Sequence, residues 1–472
     1  MEGNNRIMLR WLLGIYCGCL AAGIFFFTGT GDMGDSVAHF LFARYAVVHP
    51  ELYFHHWAKP VFVLLASPFA QFGFEGVKVF NALVSMACVY FTYQVAFQLK
   101  LKQPWMVALL LICMPLNYIL TLSALTEPLF ALFTILALYW CLGKKYVAAA
   151  VLLSFLPYVR SEGLIVLGVF ALYFVYLKQF KFLVFLLSGS VVYGLAGYAV
   201  HHDVLWVFTK IPYAHLSSVY GKGPWYHFFE QLPNVVGIPV YILLWLGLIY
   251  AVYLLFKKMF SPDKHILIYT LFLCFFVAHG LFWYLGIFNS MGLKRVFLCV
   301  GPIMAIMALE GYHLMLKLLP ANTIVYKALA TLLLLYVLVF PFTPNPSAIQ
   351  FHKDLMAPKE QLLADQLAKE IQGLRANGLP VVYNHYYLGW ALQSDRFSRY
   401  ERIPLSRVEL DKLPIGSVII WDNKLMGWET DIDKSELDAR VDLKTVSVYS
   451  AMEYGKSIVY AVYLKTQDKP SK

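Results

Sequence analysis

The sequence predicts an α-helical polytopic membrane protein with about eleven transmembrane helices and a small C-terminal α/β domain. Three observations lead to this class. The chain of 472 residues is 60% hydrophobic and only 14% charged, which is far more apolar than a soluble domain. Apolar runs recur as far as residue 341, and the composition then turns polar. The seven cysteines lie in or beside apolar runs without zinc-site spacing, so we expect neither a disulfide framework nor a metal cluster.

The apolar runs define the predicted spans, because a bilayer core requires about 20 apolar residues per helix. The first run is long and lacks a clean cleavage site, which favours an uncleaved span over a signal peptide. Residues 61–72 are too short to span and are broken by Pro68, so we expect a re-entrant or interfacial segment. The eleven predicted spans are 8–27, 77–98, 104–122, 126–142, 146–159, 162–178, 182–200, 235–256, 266–287, 295–317 and 322–341.

Lysine and arginine are distributed unequally between the two ends of these spans. With the N-terminus in the cytoplasm, one face receives thirteen cations and three acids, and the other face up to residue 341 carries eight of each sign. Cationic loops stay cytoplasmic, so the asymmetry predicts this orientation and contact with anionic lipid. It gives no argument for nucleic acid, and we expect no nucleic-acid partner. The expected location is a bacterial inner membrane, or the ER membrane in a eukaryote.

The polar tail, residues 342–472, is predicted to be a soluble α/β domain outside the cytoplasm, because an odd number of spans places it there. Its β-rich runs are "LPVVYN", "GSVIIWD", "KTVSVYS" and "SIVYAVYLK". The segment "APKEQLLADQLAKEIQGLRANG" has its apolar residues on one helical face and stops at Gly378. Residues 1–341 then form the membrane domain, with residues 28–76 as its first outer loop.

Charged residues of the membrane domain also gather on the predicted outer face, mostly at the mouths of helices. Ionisable groups near a membrane usually pair or serve a site, and outer cations oppose the positive-inside bias. A phosphate ligand would offset that cost. The residues concerned are Asp32, Asp35, Arg44, Lys59, Glu127, Arg160, Glu162, Asp203, Lys210, Lys222, Lys294 and Arg295.

The first outer loop contains the motif "GDMGDS", in which glycines permit a tight turn that aims Asp32 or Asp35 inward. A desolvated carboxylate there would have a raised pKa and could accept a proton from a substrate hydroxyl. The alternative is that Asp35 caps the following helix. The segment "SVAHFLFARYAVVH" that follows is predicted to be an amphipathic helix lying along the bilayer.

The run "HPELYFHHWAKP" then adds Lys59, which could contact a lipid headgroup or a bound phosphate. The four histidines of the loop match no strong metal-ligand spacing, and His55 and His56 are adjacent, so ordinary interfacial histidines are favoured. Asp32 and Asp35 with His55 or His56 could still hold a hard cation weakly. Mg²⁺ or Mn²⁺ is therefore a candidate cofactor, with its ligands unassigned.

Three later segments carry further candidates. Glu127 in "SALTEPLF" opens a helix, where the helix dipole alone favours a carboxylate. Arg160 and Glu162 lie in a short outer turn, and either they pair with each other or Arg160 binds an anion. Lys294 and Arg295 open a late span and suit a phosphodiester or pyrophosphate, with interfacial anchoring as the alternative.

Together these features resemble the GT-C-type glycosyltransferases. The features are the acidic motif of the first outer loop, the amphipathic helix after it, "TEPLFALFTILALYW", the "RSEG" turn, the late basic pair and the outer soluble tail. That superfamily includes protein O-mannosyltransferases, aminoarabinose transferases acting on lipid A, and mannosyltransferases of glycolipid anchors. Two features depart from its pattern. Met33 and Gly34 separate two acids that are often adjacent, and "LKRVF" replaces a late arginine–tyrosine pair.

The resemblance implies transfer of a sugar, such as mannose or another hexose or pentose, from a polyprenyl-phosphate carrier to an extracytoplasmic glycan, lipid or protein, usually with inversion. Asp35 or Asp32 would be the catalytic base or a metal-proximal acid. Arg160, Lys294 and Arg295 would hold the carrier phosphate.

Two other classes compete with this interpretation. One is a polysaccharide ligase or polymerase, and the other is a transporter or flippase for lipid-linked sugars. A transporter should show ionisable residues at the membrane midplane, for which Glu310 and His313 are the only hints.

Overall fold

The computed structural model describes residues 2–212, 216–318, 324–374, 378–425, 430 and 432–468. It is mostly helical and ends in a small sheet domain, so the predicted class of a helical membrane protein with a small C-terminal α/β domain is confirmed, and the number of eleven spans stays a prediction. Five helices are long and apolar enough to cross a bilayer, and shorter apolar helices lie between them. The five are Gly3–Phe26, Phe74–Gln98, Ile238–Phe256, Pro262–Leu285 and Lys294–Lys317.

Nineteen α-helices are described between residues 2 and 339, joined by short 3₁₀ segments and one π-helical turn. They are α1 Glu2–Phe26, α2 Asp35–Tyr45, α3 Pro60–Ala70, α4 Phe74–Gln98, α5 Met106–Ile112, α6 Pro115–Thr121, α7 Glu127–Leu142, α8 Tyr146–Ser154, α9 Gly163–Tyr176, α10 Ser188–Ala196, α11 Tyr198–His201, α12 Trp206–Thr209, α13 His227–Gln231, α14 Pro233–Val236, α15 Ile238–Phe256, α16 Pro262–Lys264, α17 Leu271–Leu285, α18 Gly301–Lys317 and α19 Ile324–Val339. The 3₁₀ segments are Pro50–Phe54, Leu156–Tyr158, Phe180–Leu187, Lys294–Val300 and Phe340–Phe342, and the π-turn is His265–Thr270.

Several predicted spans are interrupted in the structure. The span predicted at 104–122 is two seven-residue helices, α5 and α6, because Pro115 cannot donate to the preceding turn and disfavours helical backbone at Met114. The span at 182–200 begins as the 3₁₀ segment Phe180–Leu187 before α10. The segment predicted to be re-entrant is α3, whose eleven residues extend only about 16 Å.

The helix predicted to lie along the bilayer is α2, and its amphipathic pattern does not leave a free face. Residues 36–43 are all buried, because α3 packs on α2 from one side and the sheet domain covers it from the other. Phe40, for example, meets the ring of Trp390 at a centroid distance of 5.3 Å. Ser36 and His39 of this segment are therefore buried in protein.

The C-terminal domain contains a five-stranded mixed sheet in the order β2-β1-β3-β5-β4. Strands β1, β2 and β3 are parallel, whereas β5 runs antiparallel to both β3 and β4. The four predicted β-rich runs are strands, and the predicted helix is Lys359–Ile371. The elements are α20 Phe351–Leu355, α21 Lys359–Ile371, β1 Val381–Val382, α22 Tyr386–Ala391, β2 Arg402–Ile403, α23 Arg407–Leu410, β3 Val418–Asp422, α24 Lys434–Asp438, β4 Leu443–Glu453 and β5 Lys456–Lys465.

This domain packs directly on the first loop. The amide of Gly29 donates to the carbonyl of Leu355 at 2.8 Å, so the two backbones are in contact. His49 contacts the carboxylate of Asp395 at 2.7 Å, and Trp57 stacks on Tyr386. The first loop and the sheet domain therefore lie at the same end of the helices.

Helices α15 and α18 approach most closely where two glycines face each other. A Cβ at Gly311 would overlap the carbonyl oxygen of Leu243, and one at Gly247 would overlap that of Met307. Small residues permit this approach of two backbones inside a membrane, where packing rather than the hydrophobic effect holds helices together.

We predict that Gly311→Ala destabilises the protein by about 1 to 3 kcal/mol, because the added methyl forces α15 and α18 apart. Thermal unfolding in detergent measures the change. Gly280→Ala in α17 is the control, since a Cβ there meets nothing within 4 Å. Equal unfolding temperatures for the two variants would contradict the close approach.

Candidate functional site

The guanidinium of Arg295 contacts acids from two distant parts of the chain. Its Nη1 lies 2.7 Å from Oδ2 of Asp32, its Nη2 donates to Asp35, and its Nε lies 3.3 Å from Oε1 of Glu127. Asp32 and Asp35 follow the first span, whereas Arg295 opens the last of the five long helices. The loop after the first long helix and the start of the last long helix therefore meet at one charged site.

The loop that carries the two aspartates is fixed by its own hydrogen bonds. Oδ1 of Asp32 accepts from the amide of Gly34 at 2.6 Å, and Ser36 Oγ donates to the carbonyl of Thr30 at 2.6 Å. The residue before α2 is Gly34, and no side chain caps the helix. The alternative that Asp35 caps α2 is therefore wrong, because its carboxylate turns to Arg295.

Glu127 is the most enclosed acid of the site. Its side chain is 0% exposed, and Oε1 lies 2.9 Å from Nη1 of Arg160 as well as 3.3 Å from Arg295. Neither carboxylate oxygen accepts a well-aligned hydrogen bond from the described residues. Capping does not account for this side chain, because a buried carboxylate is tolerated only beside compensating charge, which the two arginines supply.

Arg160 connects Glu127 to the turn before α9. Its Nη2 donates to Oε1 of Glu162 at 2.9 Å, so the expected pairing of neighbours is present, and its Nη1 also donates to Oγ1 of Thr126 at 3.1 Å. Arg160 therefore forms ion pairs with Glu127 and Glu162 at the same time. We name the six side chains of Asp32, Asp35, Glu127, Arg160, Glu162 and Arg295 the acid–arginine cluster.

Lys59 lies next to this cluster. It is buried, and its Nζ donates to Oγ of Ser161 at 3.3 Å. Burial lowers the pKa of Lys59 to about 8, with Arg160 acting in the same direction and Glu162 opposing it. The ammonium is therefore charged at neutral pH and close to the point at which it loses its proton.

The expectation of a raised pKa at Asp35 is wrong. Burial is the largest single influence and opposes its ionisation, but the charges of Arg295, His39 and Arg160 and the hydrogen bond from Arg295 together outweigh it and lower the pKa of Asp35 below its ordinary value. Its side chain is also 42% exposed, so desolvation is incomplete. Asp35 is therefore an ionised carboxylate that is paired with Arg295.

Two histidines of the first loop, His55 and His56, have pKa values below the ordinary range. Burial and the charge of Lys59 lower the pKa of His56 to about 4, and burial also lowers the pKa of His55. His56 contacts the carbonyl of Val207, and His55 accepts from the amide of Ala58. These contacts do not involve Asp32 or Asp35, and no group of three or more metal-ligating side chains occurs within the described residues.

Lys294 lies apart from Arg295, its neighbour in sequence. It is exposed, and the charges acting on it are those of Asp354 and Lys353 in the sheet domain. The two residues sit in the 3₁₀ segment Lys294–Val300, which directs consecutive side chains to different sides. Of the predicted phosphate-binding cations, the structure brings together Arg160, Arg295 and Lys59.

Sequence reasoning missed two residues near the cluster. His279 in α17 is buried and lies within electrostatic reach of Glu162 and Arg160. Ser36 accepts a hydrogen bond from the amide of Ala124 at 2.9 Å and so ties the first loop to the turn before Glu127. A histidine inside an apolar span was the only signal available for His279.

Fold and site together define a class: a multi-pass membrane protein in which the first loop, several helix mouths and a C-terminal sheet domain surround one cluster of acids and arginines. No protein-family model matches the sequence, and no curated protein matches it.

Two solved structures do match in fold. The crystal structure of ArnT from Cupriavidus metallidurans bound to undecaprenyl phosphate is 12% identical, with a TM-score of 0.62 over 96% of this chain and 97% of that one. The crystal structure of the same ArnT in the apo state is 11% identical, with a TM-score of 0.63 over 98% of both chains. The chain thus has the fold of ArnT from end to end, which confirms the predicted GT-C-type fold.

We predict that Glu162 stabilises the folded protein at neutral pH and that this stabilisation is lost in acid. Burial raises the pKa of its carboxyl, but Arg160 and Lys59 reverse this and lower it to about 2. Because the folded pKa is lowered, the stabilisation is present at neutral pH and is lost as the pH falls from about 5 towards 2. The measurement is thermal unfolding of the wild type and Glu162→Gln between about pH 7 and pH 3.

The wild type should be the more stable protein at pH 7, and the difference should shrink on acidification. Glu230→Gln, at an exposed position, is the control and should show no such trend. A difference for Glu162→Gln that stays constant with pH would contradict the ion pair.

Proposed function

We propose that this protein is a membrane glycosyltransferase that moves a sugar from a polyprenyl-phosphate carrier to an extracytoplasmic acceptor. One observation carries the proposal: Asp32 and Asp35 of the first loop share the guanidinium of Arg295 at the mouth of a late span. This puts a proton acceptor and an anion-binding group at one place. The end-to-end likeness to ArnT, one structure of which holds undecaprenyl phosphate, supports a carrier of the same chemical class.

The proposed reaction breaks the bond between the anomeric carbon and the carrier phosphate and forms a bond from that carbon to an acceptor oxygen. A first-loop carboxylate, Asp35 or Asp32, takes the acceptor's proton. The electron pair of the broken bond goes to the phosphate, where cations stabilise the growing negative charge. Attack from the face opposite the phosphate inverts the anomeric carbon.

Arg295 links the two halves of this reaction. The acid–arginine cluster and Lys59 hold four carboxylates against three cations, so a phosphate that binds Arg295 must displace carboxylate from it. The displaced Asp35 would lose the charge that lowers its pKa and become a better base. Donor binding would therefore prepare the carboxylate for catalysis.

Lys59 and Arg160 complete the proposed phosphate site. Lys59 offers a compact charge and Arg160 a fork suited to phosphate oxygens. Ion pairs with Glu127 and Glu162 also fix the orientation of the Arg160 guanidinium plane. A cation that is already oriented loses less entropy when it binds an anion.

The acceptor, a glycan, lipid or protein, would approach beside the sheet domain, which packs on the first loop. A ligase or polymerase would use the same bond chemistry and differ in acceptor. Transport is less well supported, because Glu310 forms an ion pair with Lys264 at 2.6 Å and accepts from Tyr269. The charge of Glu310 is therefore balanced by Lys264, so this residue is not an open ion site. A divalent cation remains a proposal, for which Asp32 and Asp35 are the candidate ligands once Arg295 releases them.

We predict that Asp35→Asn or Asp32→Asn reduces transfer by about 100-fold or more, because the proton acceptor is lost. The assay follows a labelled sugar from polyprenyl-phosphate donors to extracted glycan, lipid and protein acceptors, with purified protein. Running it with and without chelator tests the cation.

Asp203→Asn is the matched control, since Asp203 is on the same outer face but contacts Leu205 and Thr209 instead of the cluster. It should keep wild-type turnover. Full turnover in both first-loop variants would contradict the assigned base, and no transfer by the wild type from any donor would contradict the enzyme itself.

We predict that Arg295→Ala weakens donor binding by at least about tenfold and acceptor binding far less, because a charge-assisted contact is worth roughly 1.5 to 3 kcal/mol. Lys294→Ala is the comparison, since the same positive charge is removed one residue earlier but away from the cluster. Donor binding in nanodiscs measures both. Unchanged donor affinity in Arg295→Ala, or equal losses in the two variants, would contradict the assignment.

A further inference from the structure

A second candidate site lies between α1 and α4, at the end of the membrane part opposite the acid–arginine cluster. It is a cavity of about 340 Å³, within the range of small-ligand sites. α1 has 25 residues and so extends about 37 Å, and the cluster follows its far end. Arg6 at the far end of the cavity is therefore about 30 Å along α1 from Phe26, close to the thickness of the hydrocarbon core.

The cavity combines positive charge with polar and aromatic groups. Arg6 and Arg10 are one helical turn apart on α1, and both line it. Tyr90 and Gln94 line it from α4. None of the described lining residues is acidic. An anion with several oxygen acceptors suits this set, since arginine binds phosphate oxygens through two parallel donors.

Its remaining walls are apolar. Leu13 lines the cavity one turn beyond Arg10, and Phe97 lines it from α4. The outer surface of α1 exposes Ile7, Trp11 and Ile15, as expected for a helix face in contact with lipid. An occupant can therefore place a charged group on the arginines and an apolar chain along the α1–α4 seam.

The depth of the arginines fits the headgroup layer. A helix of about 37 Å exceeds the hydrocarbon core of about 30 Å by little more than one turn, so the first turn of α1 and Arg6 lie at the headgroups, and Arg10 lies one turn deeper. Arginine side chains there extend towards the polar layer while their stems stay on apolar surface. A tyrosine such as Tyr90 is typical of the same layer.

From these observations we infer that the cavity binds the phosphodiester headgroup of an anionic glycerophospholipid from the leaflet opposite the transfer site. This inference does not depend on the proposed glycosyl transfer. The lipid would contact both α1 and α4 at the end where the cavity lies between them. Deeper along the seam, Tyr16 and Ser85 already join them through a 2.8 Å hydrogen bond.

The lipid would matter because α1 is weakly held. Only 22% of its apolar stretch is buried, against 39% to 94% in the other four long helices. The same helix leads into Asp32 and Asp35. A lipid bound at its first turns would therefore steady the helix that carries the first-loop acids.

The test uses delipidated full-length protein in detergent, with thermal unfolding and native mass spectrometry after addition of phosphatidylglycerol or phosphatidylcholine. We expect phosphatidylglycerol to raise the unfolding temperature and to be retained, and phosphatidylcholine to do so much less. The double variant Arg6→Gln/Arg10→Gln should lose most of this difference. Lys100→Gln/Lys102→Gln, which removes two cations after α4 that do not line the cavity, should keep it.

Gln94→Trp provides a second variant, because it fills the cavity and leaves both arginines. It should also lose phosphatidylglycerol retention, so the inference stays testable if the double arginine variant does not fold. Retention unchanged in either variant, or equal effects of the two lipids on the wild type, would overturn the site. Stabilisation by millimolar inorganic phosphate equal to that by phosphatidylglycerol would overturn the lipid as its source.

Discussion

The buried carboxylate of Glu127 is the constraint around which the membrane part is organised. It is fully enclosed, and a lone carboxylate in such surroundings would be costly enough to prevent folding. Arg160 and Arg295 offset that cost by approaching the same oxygen, one from the turn before α9 and the other from the 3₁₀ segment Lys294–Val300. Each arginine then needs further acceptors, which Glu162 supplies to Arg160 and the two first-loop aspartates supply to Arg295.

This chain of ion pairs explains why distant segments meet at one place. The first loop is fastened from three sides: by Arg295, by the hydrogen bond from Ala124 to Ser36, and by the sheet domain at Gly29. The result is a partly enclosed border between the helices and the sheet domain, where charges act more strongly on one another than in bulk water. Proton transfer and phosphate binding would both benefit from such surroundings, which is why the proposed reaction is placed there.

Much of this was predictable from sequence, because hydropathy and strand periodicity are local signals. The long spans, the sheet and the clustering of charge at helix ends all follow from them. Local signals could not predict the pKa direction of Asp35, which is set by a guanidinium 260 positions away. Local signals also could not predict that Arg295 joins the cluster and Lys294 does not. The direction of each side chain depends on a 3₁₀ segment within an apolar run. The break at Pro115 was readable from the proline alone.

The most direct test of the account is a double-mutant cycle on Glu127 and Arg295, using unfolding free energies in detergent for Glu127→Gln, Arg295→Gln and the double variant. Each single change takes one partner away from a buried charge, which keeps its other partners, and the second change removes that charge. The account predicts that the double variant is less destabilised than the sum of the two, with a coupling of about 1 to 3 kcal/mol. Effects that add to within about 0.5 kcal/mol would contradict it.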